Sequence, residues 1–334
     1  MIDQPPEPPP PDPATVRDLV NAGRFQDALA WHRRAPDAVE AQPDVALFVA
    51  TAATRLGDFG TADRLARSAL QRFRQRADQD GRMRALNLRG AIAFEQGRLE
   101  DAKPAFTEAL VLARELGDVR MAAWTSSNRA SVEYLQGSEE AALELFRNSM
   151  LEHQRLGDRR GTASAYHNLC IAYRQLGAWD LAESAANQAV RHAEMVGESS
   201  LIALALSGQA ELDIERGEWE LARQRLARAA ALAQEAGDEV GIIEVEYLVA
   251  LLALRSGDSA TAASTAAAAC LRAEALGAGL VVAECAAVAA LALKRLGRAE
   301  EAATQYEAAV AGFDRLGATR FKQRFNAEWD AITP

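Results

Sequence analysis

Asn128 and Asn168 hold equivalent positions in successive stretches of the chain, and Asn87 stands one position earlier in the stretch before. A carboxamide carries two N–H donors and an acceptor. Repeated at a fixed spacing, such groups can pair with both polar groups of an extended peptide backbone. The plainer reading leaves them solvated on a polar wall. Bond-making chemistry finds no comparable pattern. The chain has no GxxxxGK, GxSxG or HExxH segment, so no phosphate loop, nucleophile elbow or zinc helix is encoded. Lys103, Lys294 and Lys322 are far apart, and His32, His153, His167 and His192 fall in different predicted helices. Cys170, Cys270 and Cys285 are sparse and form no CxxC pair, which fits a reducing compartment and gives neither a disulfide framework nor a zinc site. Cys170 reads as a buried, inert thiol. We expect no enzyme, no cofactor and no metal.

Groups so spaced need a frame of the same period. Gly57, Gly97, Gly137, Gly177, Gly217, Gly257 and Gly297 recur at one unvarying interval, and Gly117, Gly157, Gly197, Gly237, Gly277 and Gly317 fall midway between them. With Gly23 they make up 14 of the 22 glycines. Glycines at such regular half-intervals, without strand-like alternation between, mark helix ends, because glycine takes the left-handed conformation at little steric cost. Asp58, Asp118, Asp158, Asp238 and Asp258 follow such glycines and can cap the next helix. Each unit reads as two helices of about 16–18 residues.

Five residues after the mid-unit glycine stand Ala28, Ala62, Ala102, Ala142, Ala182, Ala222, Ala262 and Ala302. Small residues also hold the slot seven before it (Ala50, Gly90, Ala130, Cys170) and the slot twelve after it (Ala69, Ala109, Ser149, Ala189). Small residues let paired helices approach closely. Phe25, Phe59, Leu99, Trp179 and Trp219, with Phe106, Phe146, Leu226 and Tyr306, should fill the spaces between. This order of small residue, glycine, alanine and alanine resembles the tetratricopeptide repeat over residues 14–317, in eight units. Gly23 to Gly57 matches that family's usual repeat length of about 34 residues, and the later units are six longer. They are similar to the long-repeat branch of kinesin light chains, bacterial peptide-pheromone receptors and sensor regions of signalling ATPases. Two departures stand out. Arg89, Arg129 and Gln209 occupy a slot where the family has a large apolar residue, and Pro104 should kink its helix.

The resemblance implies an all-α, right-handed α-solenoid of about eight helical hairpins, with the first helix of each unit lining a concave groove that holds ligand peptides. It further implies that Asn128 and Asn168 hold the ligand backbone. Offsets 13, 10, 9, 6 and 3 before the mid-unit glycine share one helix face. They select Arg84, Asn87 and Phe94, then Trp124, Ser127, Asn128, Ser131 and Tyr134. The next two units give Ser164, His167, Asn168, Ile171 and Arg174, then Leu204, Ser207, Gly208, Glu211 and Ile214. The candidate partner-binding set is therefore Arg84, Asn87, Trp124, Asn128, Ser131, Tyr134, His167, Asn168, Arg174 and Glu211. Only Arg84 and Arg174 are cationic, too few for a carboxylate clamp. Tyr247, Leu248, Leu251, Leu254, Val288 and Leu291 make the last stretch apolar. It is either an apolar peptide pocket or a face buried by tight winding, and the alanine-rich 260–270 segment favours winding.

The ends differ from the repeats. Residues 1–13 are Pro-rich and should form an extended, disordered leader. In 318–334, Phe321, Phe325 and Trp329 form an i, i+4, i+8 stripe, expected to cap the open face of the last unit. The 334 residues carry 37 basic and 47 acidic side chains, net -10 with a pI near 5.1. That charge disfavours nucleic acid and anionic lipid, and no apolar run could span a bilayer. We expect a cytoplasmic, non-enzymatic scaffold or sensor that binds a peptide or protein segment. The alternative is a regulatory region of a larger signalling or transcription-control protein, responsive to a small molecule.

Overall fold

The computed structural model describes residues 12–332. The leader expected over residues 1–13 lies outside the described residues as far as residue 11. The first hairpin is α1 (Pro13–Asn21) with α2 (Phe25–Arg34), followed by the short α3 (Pro36–Ala41). Next come α4 (Pro43–Arg55) with α5 (Phe59–Gln75), α6 (Gln79–Glu95) with α7 (Leu99–Glu115), and α8 (Val119–Leu135) with α9 (Glu139–Arg155). They are followed by α10 (Arg159–Gln175) with α11 (Trp179–Val196) and α12 (Ser199–Arg216) with α13 (Trp219–Ala236). The last pairs are α14 (Glu239–Ser256) with α15 (Ser259–Leu276) and α16 (Gly279–Arg295) with α17 (Ala299–Leu316); α18 (Thr319–Ala331) ends the chain. Consecutive helices pack on one another throughout, giving an all-α superhelix of eight hairpins. The period did not reveal α3. Pro36 and Pro43 each start a helix at its first turn, where a missing N–H costs nothing.

The glycine period is a conformational one. All 14 periodic glycines have positive φ, 71° at Gly57 and 94° at Gly257. Among the described residues the one other in that region is Ala77, at φ 52°. It stands midway between Gly57 and Gly97, where the series lacks its glycine. After each turn the next helix is capped where aspartate is available: Asp58, Asp118, Asp158, Asp238 and Asp258 each accept a backbone N–H three residues on. Asp78 does so too.

The alanines five after the mid-unit glycine are essentially inaccessible in every unit. Phe25, Phe59, Leu99, Phe106, Phe146 and Leu226 fill the core between them. Trp179 does not: it is 41% exposed. Arg89 and Arg129 bury their Nε atoms without a partner, while Gln209 donates to Asn187 Oδ1 at 2.8 Å. Pro104 leaves α7 as one unbroken helix. It lies just beyond the first turn, so the single bond it removes is the one to the Glu100 carbonyl.

Units five apart meet. Helix α4 touches α14, and Arg55 lies 3.8 Å from Asp238. A Cβ at Gly57 would fall 2.5 Å from Leu276 Cδ2, and one at Gly279 2.7 Å from the Gln96 carbonyl oxygen. Gly97 faces Leu316 in the same way. Val45 and Leu56 share one apolar cluster with Val240, Ile243 and Val281. One turn of the superhelix thus takes five units, and the second turn rests on the first.

Helix α18 follows the same rule, for it touches α8, five units earlier. Phe325 is buried against Phe313 and Tyr306, and Trp329 lies 4.6 Å from the Tyr306 ring with Lys294 4.4 Å over its face. Phe321 lies 6.1 Å from the Phe313 ring and also meets Tyr134, edge to face at 6.2 Å. The helix therefore packs on the last unit and links it to the first turn.

Two outcomes follow from this packing. Ala77→Gly should raise unfolding free energy by about 0.5–1 kcal/mol, since a left-handed alanine costs roughly 1–2 kcal/mol and glycine returns about half of that in chain entropy. Denaturant unfolding reads this, and a variant of lower stability would contradict the strain assigned to Ala77. Phe321→Ala combined with Trp329→Ala should expose the flank of the last unit, lower the melting temperature and promote self-association. Light scattering and melting both unchanged would remove α18 from the fold's closure.

Candidate functional site

The concave side of the superhelix encloses a cavity of about 500 Å³, within the roughly 300–1,000 Å³ typical of ligand pockets. First helices of successive units line it, and α18 lies across it with Phe321, Arg324 and Phe325. Helices α8 and α10 supply a polar wall. Trp124, Asn128, Ser131 and Tyr134 face the cavity from α8, and His167, Asn168 and Arg174 face it from α10. Glu211 joins them from α12.

Each of these side chains is held. Trp124 donates its indole N–H to Asp158 at 3.1 Å, and Arg160 lies 5.8 Å over its ring. Asn128 Nδ2 donates to Asn87 Oδ1 at 3.1 Å, and Asn168 Nδ2 donates to Ser127 Oγ at 3.2 Å. The asparagines therefore cross-link adjacent first helices. Each still has one N–H and its carbonyl oxygen without a hydrogen-bond partner among the described residues. Ser131 donates to the Ser127 carbonyl. Burial, with Arg174 adding to it, pushes the His167 imidazole down to about 4, so it is neutral near pH 7. Its Nδ1 is buried without a partner, and the missing side chain of Gly208 leaves room for the ring.

Two expected residues do not face this cavity. Arg84 is held by Asp44 and Asp80, both at 2.9 Å, and lies 5.6 Å over the Phe73 ring. Asn87 gives its Oδ1 to Thr125 and Asn128. Helix α6 reaches the cavity only at its last turns, through Ala91, Phe94 and Glu95. The apolar stretch is both buried and lining: Leu248, Leu251, Leu254, Val288 and Leu291 are at most 6% exposed, and all border the cavity.

Of the cavity's charges, the sequence pointed only to Arg174 and Glu211. Six arginines line the cavity, and every one has an acidic partner. Arg55 pairs with Asp238, Arg160 with Glu198, Arg174 with Glu211, Arg255 with Glu328, Arg320 with Glu139, and Arg324 with Glu215 and Glu328. Three lining glutamates, Glu95, Glu244 and Glu284, have no ion pair or hydrogen bond among the described residues. Burial pushes the Glu244 carboxyl up to about 8, and Glu95 and Asp238 push it the same way. Burial and Glu211 bring Glu284 to about 8 as well, and burial raises Glu95. A signal was present: offset 13, which selects Trp124 and Ser164, also selects Glu244 and Glu284.

No group of three or more potential metal ligands occurs among the described residues. Burial pushes the Cys170 thiol up to about 12, which makes it a packing residue rather than a nucleophile. His153 Nδ1 lies 3.0 Å from Asp158, the acceptor of the Trp124 indole, and so supports that side chain. No helix among the described residues is long and apolar enough to cross a membrane.

Residues 121–195 match the tetratricopeptide repeat family model. Curated protein sequences give no match. Solved structures do. A Rap protein complexed with competence and sporulation factor is 13% identical, with a TM-score of 0.63 over 95% of each chain. A Rap conjugation gene regulator in complex with a Phr peptide is 16% identical, with a TM-score of 0.63 over 78% of this chain and 72% of its own. A signal transduction ATPase with a tetratricopeptide repeat sensor, from Pyrococcus horikoshii, is 15% identical, with a TM-score of 0.50 over 95% of this chain and 50% of its own. In sequence the match to tetratricopeptide repeats spans residues 121–195, and in fold the described superhelix is similar to these structures.

Proposed function

We propose that this protein is a non-enzymatic receptor or scaffold that takes a peptide or an extended protein segment into the cavity of its superhelix. The observation that carries this is the pair of half-used carboxamides. Asn128 and Asn168 are oriented by their bonds to Asn87 and Ser127, and each presents a free donor and a free acceptor to the same cavity. An extended backbone offers the complementary pair at regular intervals. Leu248, Leu251, Val288 and Leu291 on the opposite wall give apolar side chains a place. Similar structures that hold the Phr peptide and the competence and sporulation factor support the reading. With every lining arginine already paired, phosphate or nucleic acid would meet no free cation in the cavity.

A second reading is supported by the ATPase structure, in which a repeat sensor of this fold is part of a longer signalling chain. As a sensor of that kind, the protein would use the same cavity as its input. Both readings share the ligand site, and the test is the same.

Full chain equilibrated with a random pentapeptide pool should retain a subset, identified by mass spectrometry. For a retained peptide, Asn128→Ala with Asn168→Ala should weaken binding by about tenfold to a hundredfold in titration calorimetry, from two neutral hydrogen bonds of about 0.5–1.5 kcal/mol each. Because the same amides cross-link first helices, the melting temperature should also fall modestly. Arg223→Ala, on the exposed side of α13, should change neither. Equal affinity of wild type and double variant would show that recognition lies away from the carboxamides.

A further inference from the structure

We infer that α18 is a lid on this cavity: it undocks as one piece while the hairpins stay folded, and ion pairs set how often it does so. The inference concerns access to the cavity and does not depend on what the ligand is. Of the 13 residues of α18 only Phe325 is buried, while Phe321 and Trp329 stay partly exposed. Helix α16, on which it packs, is buried without a break from Cys285 to Leu293. Resistance to local opening follows the apolar surface an element buries, so α18 opens at a far lower cost than the hairpins. A free helix of this length is marginal in water, and the undocked segment therefore loses its backbone hydrogen bonds as well.

Charged groups hold the helix in place across the cavity. Toward the earlier units Arg320 pairs with Glu139 of α9 and donates to the Gln175 carbonyl of α10 at 3.2 Å, and Arg324 pairs with Glu215 of α12. Toward the later units Glu328 accepts from Arg255 of α14 at 2.8 Å, and Lys294 of α16 donates to the Trp329 carbonyl at 2.6 Å. The Arg320 and Arg324 side chains are 42% and 40% exposed, so water and salt reach both pairs and weaken them. The same helix presents Phe321, Arg324 and Phe325 to the cavity. Undocking therefore breaks the pairs and removes that wall in one step. Only Gly317 and Ala318 separate α18 from α17, and Gly317 is left-handed at φ 62°, which keeps the freed segment tethered beside the opening. The contacts that set one turn on the other, α4 with α14 and Gly279 against Gln96, include no residue of α18, so they stay closed when the lid opens.

Native-state hydrogen exchange on the full chain, read by mass spectrometry, tests the lid without a ligand. Amides of α18 should exchange about a hundredfold faster than those of α14 and α16. Raising NaCl from about 0.05 M to about 1 M should speed α18 by about threefold or more and leave α14 and α16 nearly unchanged. Arg320→Ala with Arg324→Ala should speed α18 by about tenfold, and Arg320→Lys with Arg324→Lys should recover most of the protection. Exchange of α18 at the rate of α14 and α16 would overturn the inference, because the helix would then open only with the whole fold. Acceleration of every element alike in the alanine variant would also overturn it, by making the arginines general supports of the fold. Access is read separately with diethyl pyrocarbonate, a small neutral reagent that acylates neutral imidazole. His167 lines the cavity, whereas His153 is 1% exposed. At pH 7 the alanine variant should modify His167 about tenfold faster than wild type, in step with the exchange of α18, and His153 no faster. His167 modified at equal rates in both proteins, or in neither, would make α18 a fraying end rather than a lid.

Discussion

Close approach of backbone to backbone is the constraint on which this molecule depends. Gly279 lies against the Gln96 carbonyl with no room for a Cβ, and Gly57 and Gly97 admit Leu276 and Leu316 in the same way. These contacts join residues far apart in the chain and set the second turn of the superhelix on the first. Looser winding would leave an open trough. With the turns in contact, the concave surface becomes a cavity whose walls come from both turns, and helix α18 completes it.

Enclosure then decides the electrostatics. On an open groove the arginines and glutamates would be screened by water, and their pairing would contribute little. Inside a largely protein-lined cavity an unpaired charge is costly, which accounts for the partner found beside every lining arginine. Several of these pairs bridge distant elements: Arg320 of α18 to Glu139 of α9, Arg324 of α18 to Glu215 of α12, and Arg55 of α4 to Asp238 of α14. The cations of the cavity serve closure. The polar groups left free for a ligand are amides, hydroxyls and three carboxyls.

Most of the fold was legible because each unit repeats one local rule. The glycine spacing stated where helices end, and all 14 glycines sit in the conformation that the reading required. What escaped it was non-periodic. Ala77 adopts the same conformation without being glycine, and α3 is defined by two prolines inside an atypical first unit. The face of the first helices was legible too, since offset arithmetic needs only the geometry of a single helix. Arg84 and Asn87 obey that arithmetic yet do not line the cavity, because which part of a helix borders it depends on superhelical pitch, a long-range property. Trp179 shows the reverse error: a repeat slot that is core in one unit is half exposed in another when its neighbours change.

The unpaired glutamates show how the winding reaches single side chains. Glu244 and Glu284 stand at a recurrent offset, and an extended or open solenoid would hold them as solvated carboxylates of normal acidity. Only the contact between turns brings Glu95 toward Glu244 and removes the water that would otherwise separate them. Like charges placed across a seam oppose its closure, and burial there raises the Glu95 and Glu244 carboxyls, with Arg55 as the one cation at hand.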